Sequence, residues 1–157
     1  MTTSTQIRPV TSADIIGLKT LIEAVALFPT EMLDDMIAGY LDGMANDFWF
    51  TACDADDRPL GFGFCEPERM TVGTWNLLAI GVMPDHQGTG IGGRMISYLE
   101  QQLRAKAGRV LLVETMGTPE FERTRQFYHR SGFTEEARIR DFYEAGGDKI
   151  VFWKQLG

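Results

Sequence analysis

Along the chain, the spacing of apolar residues alternates between a period typical of strands and a period typical of helices. A short extended segment, residues 6–10, is followed by apolar residues at helical spacing from Ile15 to Val25. Thr30 is placed to cap a second, shorter helix that runs from residue 31 to about residue 40. The first part of the chain is therefore predicted to form one strand and two helices.

Two apolar and aromatic runs, residues 49–53 and 60–66, flank a polar segment rich in Asp with Arg and Pro. This composition is typical of a turn, so the runs are predicted to form an antiparallel hairpin, with residues 74–82 as a third strand. The hairpin places Cys53 opposite about residue 60 rather than opposite Cys65. We therefore expect two buried thiols and no disulfide bond.

The second half of the chain alternates between helical and extended patterns. Residues 90–107 keep helical spacing, residues 109–114 are almost continuously apolar, and residues 120–131 form another helix that ends at Gly132. The apolar run predicts a strand covered on both faces and parallel to residues 74–82. Closing strands are predicted at residues 133–139 and 149–154.

Together these patterns predict an α/β (α+β) fold in a single domain, residues 1–157. Its sheet is mixed and mostly antiparallel, with about seven strands, a parallel βαβ crossover and flanking helices. There is no linker and no internal repeat in the sequence.

Composition and charge narrow the classes of partner. The chain has 22 acidic and 15 basic residues, a formal net charge of −7 that would repel a nucleic acid backbone. No apolar run approaches the length of a membrane span, and the N-terminus lacks the hydrophobic stretch of a signal peptide. Because the two histidines and two cysteines show no ligand spacing, no metal is expected either. We expect a cytoplasmic protein.

The segment after Val82 is a glycine-rich loop between a strand and a helix, with glycines at positions 88, 90, 92 and 93. Glycines let the backbone curl with its N–H groups pointing inward, and the helix N-terminus adds partial positive charge. The segment is therefore predicted to bind an anion such as the phosphates of a cofactor.

Two families of nucleotide-binding loop fit this segment poorly. A Walker-type loop requires Lys and then Ser or Thr after the last glycine, where this chain has Arg94 and Met95. A dinucleotide fold fits Gly88, Gly90 and Gly93, with Glu114 in the place of the ribose-binding acid. In that fold the first glycine directly follows the strand, whereas five residues intervene here, so this interpretation is the less favoured one.

A third family accounts for the whole chain. The pattern Val82-x-Pro84-x-x-Gln87-x-x-Gly90-x-Gly92 resembles the acyl-CoA pyrophosphate loop of the GNAT superfamily of N-acetyltransferases. The later segment from Phe127 through Tyr128 and Gly132 to Phe133 resembles that family's F-Y-x-x-x-G-F signature, and the order of predicted elements is similar to the family's order. The resemblance implies the GNAT fold and acetyl-CoA as co-substrate.

The resemblance also implies which residues bind acetyl-CoA. Backbone N–H groups of Gln87 to Gly92 would hold the pyrophosphate, the end of the 74–82 strand would pair with the pantetheine arm, and Gly81 would be a bulge that opens the slot. Thr118 stands in a stretch where the family often has an Asn that binds the arm. The implied cofactor-binding residues are Ile80, Gly81, Val82, Gln87, Gly88, Thr89, Gly90, Ile91, Gly92, Thr118 and Tyr128.

Acyl transfer to an amine needs a proton for the departing thiolate and a group that removes a proton from the amine. By the resemblance, Tyr128 is the proton donor. Glu114, which closes the parallel strand, is the first candidate for the general base, with Glu66, Asp141 or a chain of waters as alternatives. Position in the family fold suggests acceptor contacts from Phe28, Glu31, Trp75, Asp141, Phe142 and Tyr143.

The predicted function is therefore N-acetyltransfer from acetyl-CoA to a primary amine of a small molecule or peptide, by direct attack in a ternary complex. The alternative is a non-catalytic sensor that binds acyl-CoA through the same loop. If the protein forms an oligomer, we expect a homodimer.

Overall fold

The computed structural model describes residues 4–157 of the chain. Its strands are β1 (Gln6–Pro9), β2 (Phe48–Cys53), β3 (Pro59–Pro67), β4 (Thr74–Val82), β5 (Val110–Met116), β6 (Thr134–Glu144) and β7 (Gly147–Gln155). Its α-helices are α1 (Ile15–Val25), α2 (Leu33–Leu41), α3 (Ile91–Ala105) and α4 (Glu122–Arg130). Short 3-10 turns precede α1, α2 and α4 and follow β4.

The described strands form one seven-stranded sheet in the order β1-β2-β3-β4-β5-β7-β6. β4 and β5 are parallel, with Thr74 opposite Val110 and Leu77 opposite Val113. The pairs β1–β2, β2–β3, β5–β7 and β6–β7 are antiparallel. The predicted α/β fold, with a mixed and mostly antiparallel sheet and one parallel crossover, is confirmed.

The chain divides into two compact units. The first comprises the residues up to Glu66 together with Ala79–Leu99. Its core forms because the apolar faces of α1 and α2 pack on aromatic side chains of β2 and β3, and the rings of Trp49 and Phe64 stack with centroids 4.2 Å apart. The buried residues of this core are Val10, Leu18, Leu21, Ile22, Leu33, Ile37, Trp49, Phe62 and Phe64.

The start of α1 is fixed by polar contacts. Asp14 lies at the end of the 3-10 turn before the helix, and its carboxylate accepts a hydrogen bond of 2.8 Å from the backbone N–H of Thr11. Arg8 of β1 donates two more hydrogen bonds to the same carboxylate. A buried carboxylate is stable when it is paired in this way, so the contacts set where α1 begins.

The second unit comprises Pro67–Leu78 together with Glu100–Gly157. Tyr128 of α4 packs against Phe133 and against Phe152 of β7, and Phe152 lies opposite Val113 of β5. A partly buried ion pair also stabilises this unit: Lys154 lies 3.0 Å from Glu100, which is 6% exposed, and donates a 2.6 Å hydrogen bond to the Ser131 carbonyl.

β5 differs from the prediction of a strand covered on both faces. Leu111, Val113 and Thr115 are buried, whereas the alternate positions are half-buried. One face of β5 packs in the core, and the other face, which includes Glu114, stays partly open to solvent.

The hairpin formed by β2 and β3 has the predicted register. Cys53 lies opposite Pro59 and Cys65 lies opposite Phe48, so the two cysteines do not face each other. Both are buried free thiols.

Other boundaries differ from the sequence prediction. Thr30 does not cap a helix: Pro29 occupies the N-cap position, and Thr30 is the first residue of the 3-10 turn. β6 and β7 are longer than predicted and are joined by a tight turn at Gly146, whose φ is +79°. The β6–β7 register shifts between Ile139 and Glu144, and β6 is exposed along its whole length.

Candidate active site

The glycine-rich loop lies between β4 and α3, as predicted, and its glycines adopt conformations that other residues rarely adopt. The φ angles of Gly88 and Gly90 are +77° and +90°. A Cβ atom at either position would meet nothing within 4 Å. The left-handed backbone requires glycine here, and the space above it is open.

The backbone of this loop presents a row of unused donors. Among residues 4–157, no group accepts a hydrogen bond from the N–H groups of residues 88–93. They precede and begin α3, a helix of 15 residues whose dipole places positive charge at the same end. Successive free N–H groups at a helix N-terminus fit the pyrophosphate of a nucleotide cofactor.

Side chains of the loop hold it in shape. Gln87 donates a hydrogen bond of 3.1 Å to the carbonyl of Val82, and Thr89 donates one of 2.5 Å to the carbonyl of His86. The N–H of Gln87 donates to the carbonyl of Pro84 at 3.3 Å. Gln87 therefore shapes the loop, and the free donors begin one residue later than the resemblance implied.

The last residues of β4 have no paired partner in β5. The pairing of β4 with β5 ends at Leu77 and Val113, although β4 itself continues to Val82. Ile80 and Val82 are half-buried. A Cβ at Gly81 would lie 2.9 Å from Cδ1 of Leu27, so glycine lets the side chain that follows α1 pack closely on this end of β4.

Tyr128 stands on α4 within a group of aromatic rings. Its ring lies 5.4 Å from Phe127, 5.8 Å from Phe133 and 5.5 Å from Phe152, and the residue is 4% exposed. Among the described residues, none hydrogen-bonds its hydroxyl. Burial raises the pKa of Tyr128, so its phenol stays protonated throughout the physiological range.

Glu114 belongs to a polar cluster on the half-buried face of the second unit. Its carboxylate lies 2.5 Å from Nζ of Lys149 and accepts a hydrogen bond of 3.3 Å from Nδ2 of Asn76. Nδ2 of Asn76 also donates to Oε1 of Glu68 at 2.9 Å. We call these four residues, Glu68, Asn76, Glu114 and Lys149, the Asn76 cluster.

Two aromatic residues of β6 border this cluster. The pKa of Tyr143 is raised by burial and by the negative charge of Glu114. The ring of Phe142 lies 4.2 Å from Nζ of Lys149. The structure thus brings together Glu114, the first candidate for the general base, with Phe142 and Tyr143, for which the resemblance implied contacts with the acceptor.

Asn76 itself is unusual because it is only 5% exposed and its Oδ1 has no hydrogen-bond partner among the described residues. A buried carbonyl oxygen without a donor costs about 1–3 kcal/mol. Such a group is commonly found where a ligand or an ordered water completes the site.

Other candidate residues lie elsewhere. Asp141 has a φ of +54°, accepts a hydrogen bond from the N–H of Gly146 and donates its own N–H to Asp148, so it builds the β6–β7 turn. Trp75 is 8% exposed and offers little surface to an acceptor. The carbonyl of Thr118 accepts a hydrogen bond of 2.8 Å from Arg125.

Two further candidates, Phe28 and Glu31, belong to the first unit. Phe28 packs against the core of that unit, and Glu31 is exposed in the 3-10 turn before α2.

Sequence reasoning did not find Glu68, Asn76 or Lys149. One signal was present in the sequence: Asn76 interrupts the apolar run that extends from Trp75 to Val82. A polar residue at a buried strand position needs partners, and therefore marks a polar cluster.

Within residues 4–157, no helix has both the length and the apolar composition needed to cross a bilayer. The same residues contain no group of three or more His, Cys, Asp or Glu arranged to hold a metal ion.

Comparison with known structures gives matches over almost the whole chain. A protein from Desulfovibrio desulfuricans, assigned to the GNAT family of acetyltransferases, is 27% identical with a TM-score of 0.88, over 98% of this chain and 100% of its own. An aminoglycoside 6'-N-acetyltransferase complexed with coenzyme A is 18% identical with a TM-score of 0.77, over 97% of each chain. The ribosomal-protein-S18-alanine N-acetyltransferase from Escherichia coli is 16% identical with a TM-score of 0.77, over 98% of this chain and 95% of its own.

No curated protein matches the sequence. The family model for the acetyltransferase (GNAT) domain, however, matches residues 45–135, which is more than half of the chain and includes both the glycine-rich loop and Tyr128. The loop with its free N–H groups and the seven-stranded mixed sheet agree with that match, and the chain belongs to the GNAT family of acetyltransferases.

Proposed function

We propose that the protein is an N-acetyltransferase that moves an acetyl group from acetyl-CoA to a primary amine of a small molecule or peptide. The observation that carries this proposal is the row of free N–H groups at residues 88–93, above glycines that leave open space. The family and a structural neighbour that holds coenzyme A support the choice of ligand.

The residues of the loop fit the phosphates of coenzyme A. Gly88, Thr89, Gly90, Ile91 and Gly92 would hold the pyrophosphate through their backbone N–H groups, and the unpaired end of β4 at Ile80 and Val82 would bind the pantetheine arm by adding it as a strand. When bound, acetyl-CoA supplies an acetyl thioester.

Tyr128 is the proposed proton donor to the departing thiolate. A phenol has an ordinary pKa of about 10 and a thiol one of about 8.5, so donation is uphill. Burial raises the pKa of Tyr128 further, so the phenol carries its proton before the reaction, and its transfer to the thiolate requires the two groups to be in direct contact.

The acceptor amine is proposed to approach the side of the second unit that carries the Asn76 cluster. Glu114, predicted to take part in the proton transfer, is a member of this cluster, and Phe142 and Tyr143, predicted to serve the acceptor, border it. The two carboxylates suit an acceptor that is cationic in solution.

Calorimetry and a thiol-release assay test the proposal. The protein is titrated with CoA and, separately, with NAD, and acetyl-CoA is then incubated with a panel of spermidine, an aminoglycoside, lysine and a peptide with a free N-terminus. We expect CoA binding without NAD binding, and thiol release that depends on an amine. CoA binding without thiol release from any amine would instead identify an acyl-CoA sensor, and NAD binding alone would overturn both interpretations.

A further inference from the structure

The Asn76 cluster carries an unbalanced charge. Glu68 and Glu114 supply two carboxylates, and Lys149 supplies one ammonium group, which lies 2.5 Å from Glu114. Among the described residues, no cation pairs with Glu68. The cluster therefore keeps one negative charge without a partner, and that charge belongs to Glu68.

Acceptor atoms of the cluster also lack hydrogen-bond donors, whereas the donors of Asn76 are all used. The amide nitrogen of Asn76 donates to both Glu68 and Glu114, so its donors are used. Its Oδ1 lacks a donor although the side chain is 95% buried, being 5% exposed. Oε2 of Glu68 also receives no hydrogen bond from the described residues. The cluster lacks donors and one positive charge.

The position of Glu68 is held by the segment that follows it. Its backbone N–H donates to the carbonyl of Thr74 at 2.8 Å, and the hydroxyl of Thr71 donates to its carbonyl at 2.8 Å. With Oε1 bound to Asn76, the carboxylate is oriented before any ligand arrives. A pre-oriented carboxylate binds a ligand at a lower entropic cost than a mobile one.

An amino group supplies what the cluster lacks. A primary ammonium group brings one positive charge and three N–H donors, and the neutral amine keeps two of those donors. Glu114 is the weaker candidate to receive it, because Lys149 already neutralises its charge and occupies one of its oxygens.

We propose, resting on the proposed function, that Glu68 binds the amino group of the acceptor and accepts its proton during acetyl transfer, with Asn76 as the residue that positions it. This assignment replaces Glu114, the residue chosen from sequence, as the general base. It also defines the acceptor class as primary amines that are cationic in neutral solution.

The acceptor binds to Glu68 as an ammonium group and first loses one proton to solvent, which frees the lone pair of its nitrogen. The neutral amine nitrogen then bonds to the acetyl carbon and becomes acidic, one of its remaining N–H protons passes to the carboxylate of Glu68, and the carbon–sulfur bond breaks with its electron pair on sulfur. The thiolate takes the proton of the Tyr128 hydroxyl. Glu68 then loses its proton to solvent, and the phenolate of Tyr128 regains one from solvent.

The test compares Glu68→Gln with wild type for the best amine of the panel. Gln keeps the size of the side chain and an oxygen for the Asn76 bond but removes the charge. Because a general base contributes about 10²–10⁴ to a rate, we expect kcat/KM for the cationic amine to fall by at least about 10², with CoA affinity unchanged. The control, Glu135→Gln, makes the same change at an exposed position of β6 and is expected to keep wild-type values.

A second comparison tests the positioning role of Asn76. Asn76→Ala is expected to raise KM for the cationic amine and to leave CoA affinity unchanged. A merely structural role would lower CoA affinity and thermal stability together, or leave KM unchanged, and either result would remove Asn76 from the proposal.

Amine binding, measured by calorimetry without turnover, separates this inference from the proposed function. If wild-type protein binds CoA but acetylates no amine, the proposed function fails. The amine site would still be supported if wild type binds the cationic amine and Glu68→Gln does not. Equal binding or equal kcat/KM in wild type and Glu68→Gln overturns the inference while acetyl transfer stands. Failure of every amine in the panel to bind wild type overturns it as well.

Discussion

Arg8 and Asp14 form two parallel hydrogen bonds, NH1 to Oδ2 and NH2 to Oδ1, each 2.8 Å long. Burial of Asp14 would by itself raise the pKa of its carboxyl, but hydrogen bonds from Arg8 and Thr11 outweigh burial and lower that pKa. The pair joins β1 to the start of α1. It therefore contributes to stability only while Asp14 is ionised.

Replacing Arg8 by Met is expected to destabilise the fold, because it leaves the carboxylate of Asp14, 3% exposed, without its cation. Breaking a buried pair from one side costs about 3 kcal/mol or more.

In wild type the stabilising contribution of Asp14 is present above its unfolded pKa of about 4 and is lost as the pH falls through its lower folded pKa. Urea unfolding at pH 7 and at pH 3 measures both effects.

The matched control for this prediction is Arg123→Met, at an exposed position of α4. It removes the same charge and is expected to leave stability unchanged within about 0.5 kcal/mol. Equal losses in Arg8→Met and Arg123→Met would show that the Arg8–Asp14 pair contributes nothing specific.

Gly90→Glu is expected to abolish CoA binding. It places a carboxylate in the open space above the loop, where the proposed pyrophosphate would lie, and like charges about 4 Å apart repel by about 4 kcal/mol at an effective dielectric of 20, roughly a thousandfold in affinity. Calorimetry with CoA measures the loss. Gly43→Glu is the control, because Gly43 also has a left-handed φ, +72°, and open space around its Cβ. Retained affinity in Gly90→Glu would argue against this loop as the phosphate site.

Tyr128→Phe is expected to lower kcat by about 10²–10⁴ with little change in CoA affinity, as for the loss of a general acid. The aromatic ring and its contacts with Phe133 and Phe152 remain, so the fold should be retained. Tyr98→Phe, which changes a half-buried tyrosine of α3, serves as the control. An unchanged kcat with a good acceptor would mean that water protonates the thiolate and that Tyr128 is structural.

The same tyrosine predicts a loss of stability in alkali. Burial raises the folded pKa of Tyr128 above its unfolded value of about 10, so above pH 10 the unfolded chain releases a proton that the folded chain retains. The free energy of unfolding should therefore fall as the pH rises, by up to about 1.4 kcal/mol per pH unit from this residue. Urea unfolding between pH 9 and pH 11.5 should show a shallower fall in Tyr128→Phe. Identical slopes would contradict the prediction.

Much of the fold was predictable because its determinants are local. Apolar spacing alone located α1, α3 and the full extent of β4, and the composition between β2 and β3 predicted their register within one residue. The glycine-rich loop was predictable for the same reason, since the conformations of Gly88 and Gly90 depend on their own residue type.

The Asn76 cluster was not predictable in this way. Asn76 and Glu114 meet through the parallel pairing of β4 with β5, and Lys149 is brought beside them because Met116 lies opposite Lys149 in the β5–β7 register. The sequence predicted the strands but not which side chains would share a face. The cation that neutralises Glu114 comes from a segment more than thirty residues away in the chain.

The exposed strand β6 has a consequence for the behaviour of the protein at high concentration. It is the last strand of the sheet, so its outer edge offers unpaired backbone groups to any other extended chain. Charged side chains recur along it at Glu135, Arg138 and Arg140, and the left-handed residue Asp141 interrupts its regular geometry. A strand with charged side chains and an irregular backbone is a poor template for cross-β growth, so the sheet can end in solvent without recruiting other molecules into aggregates.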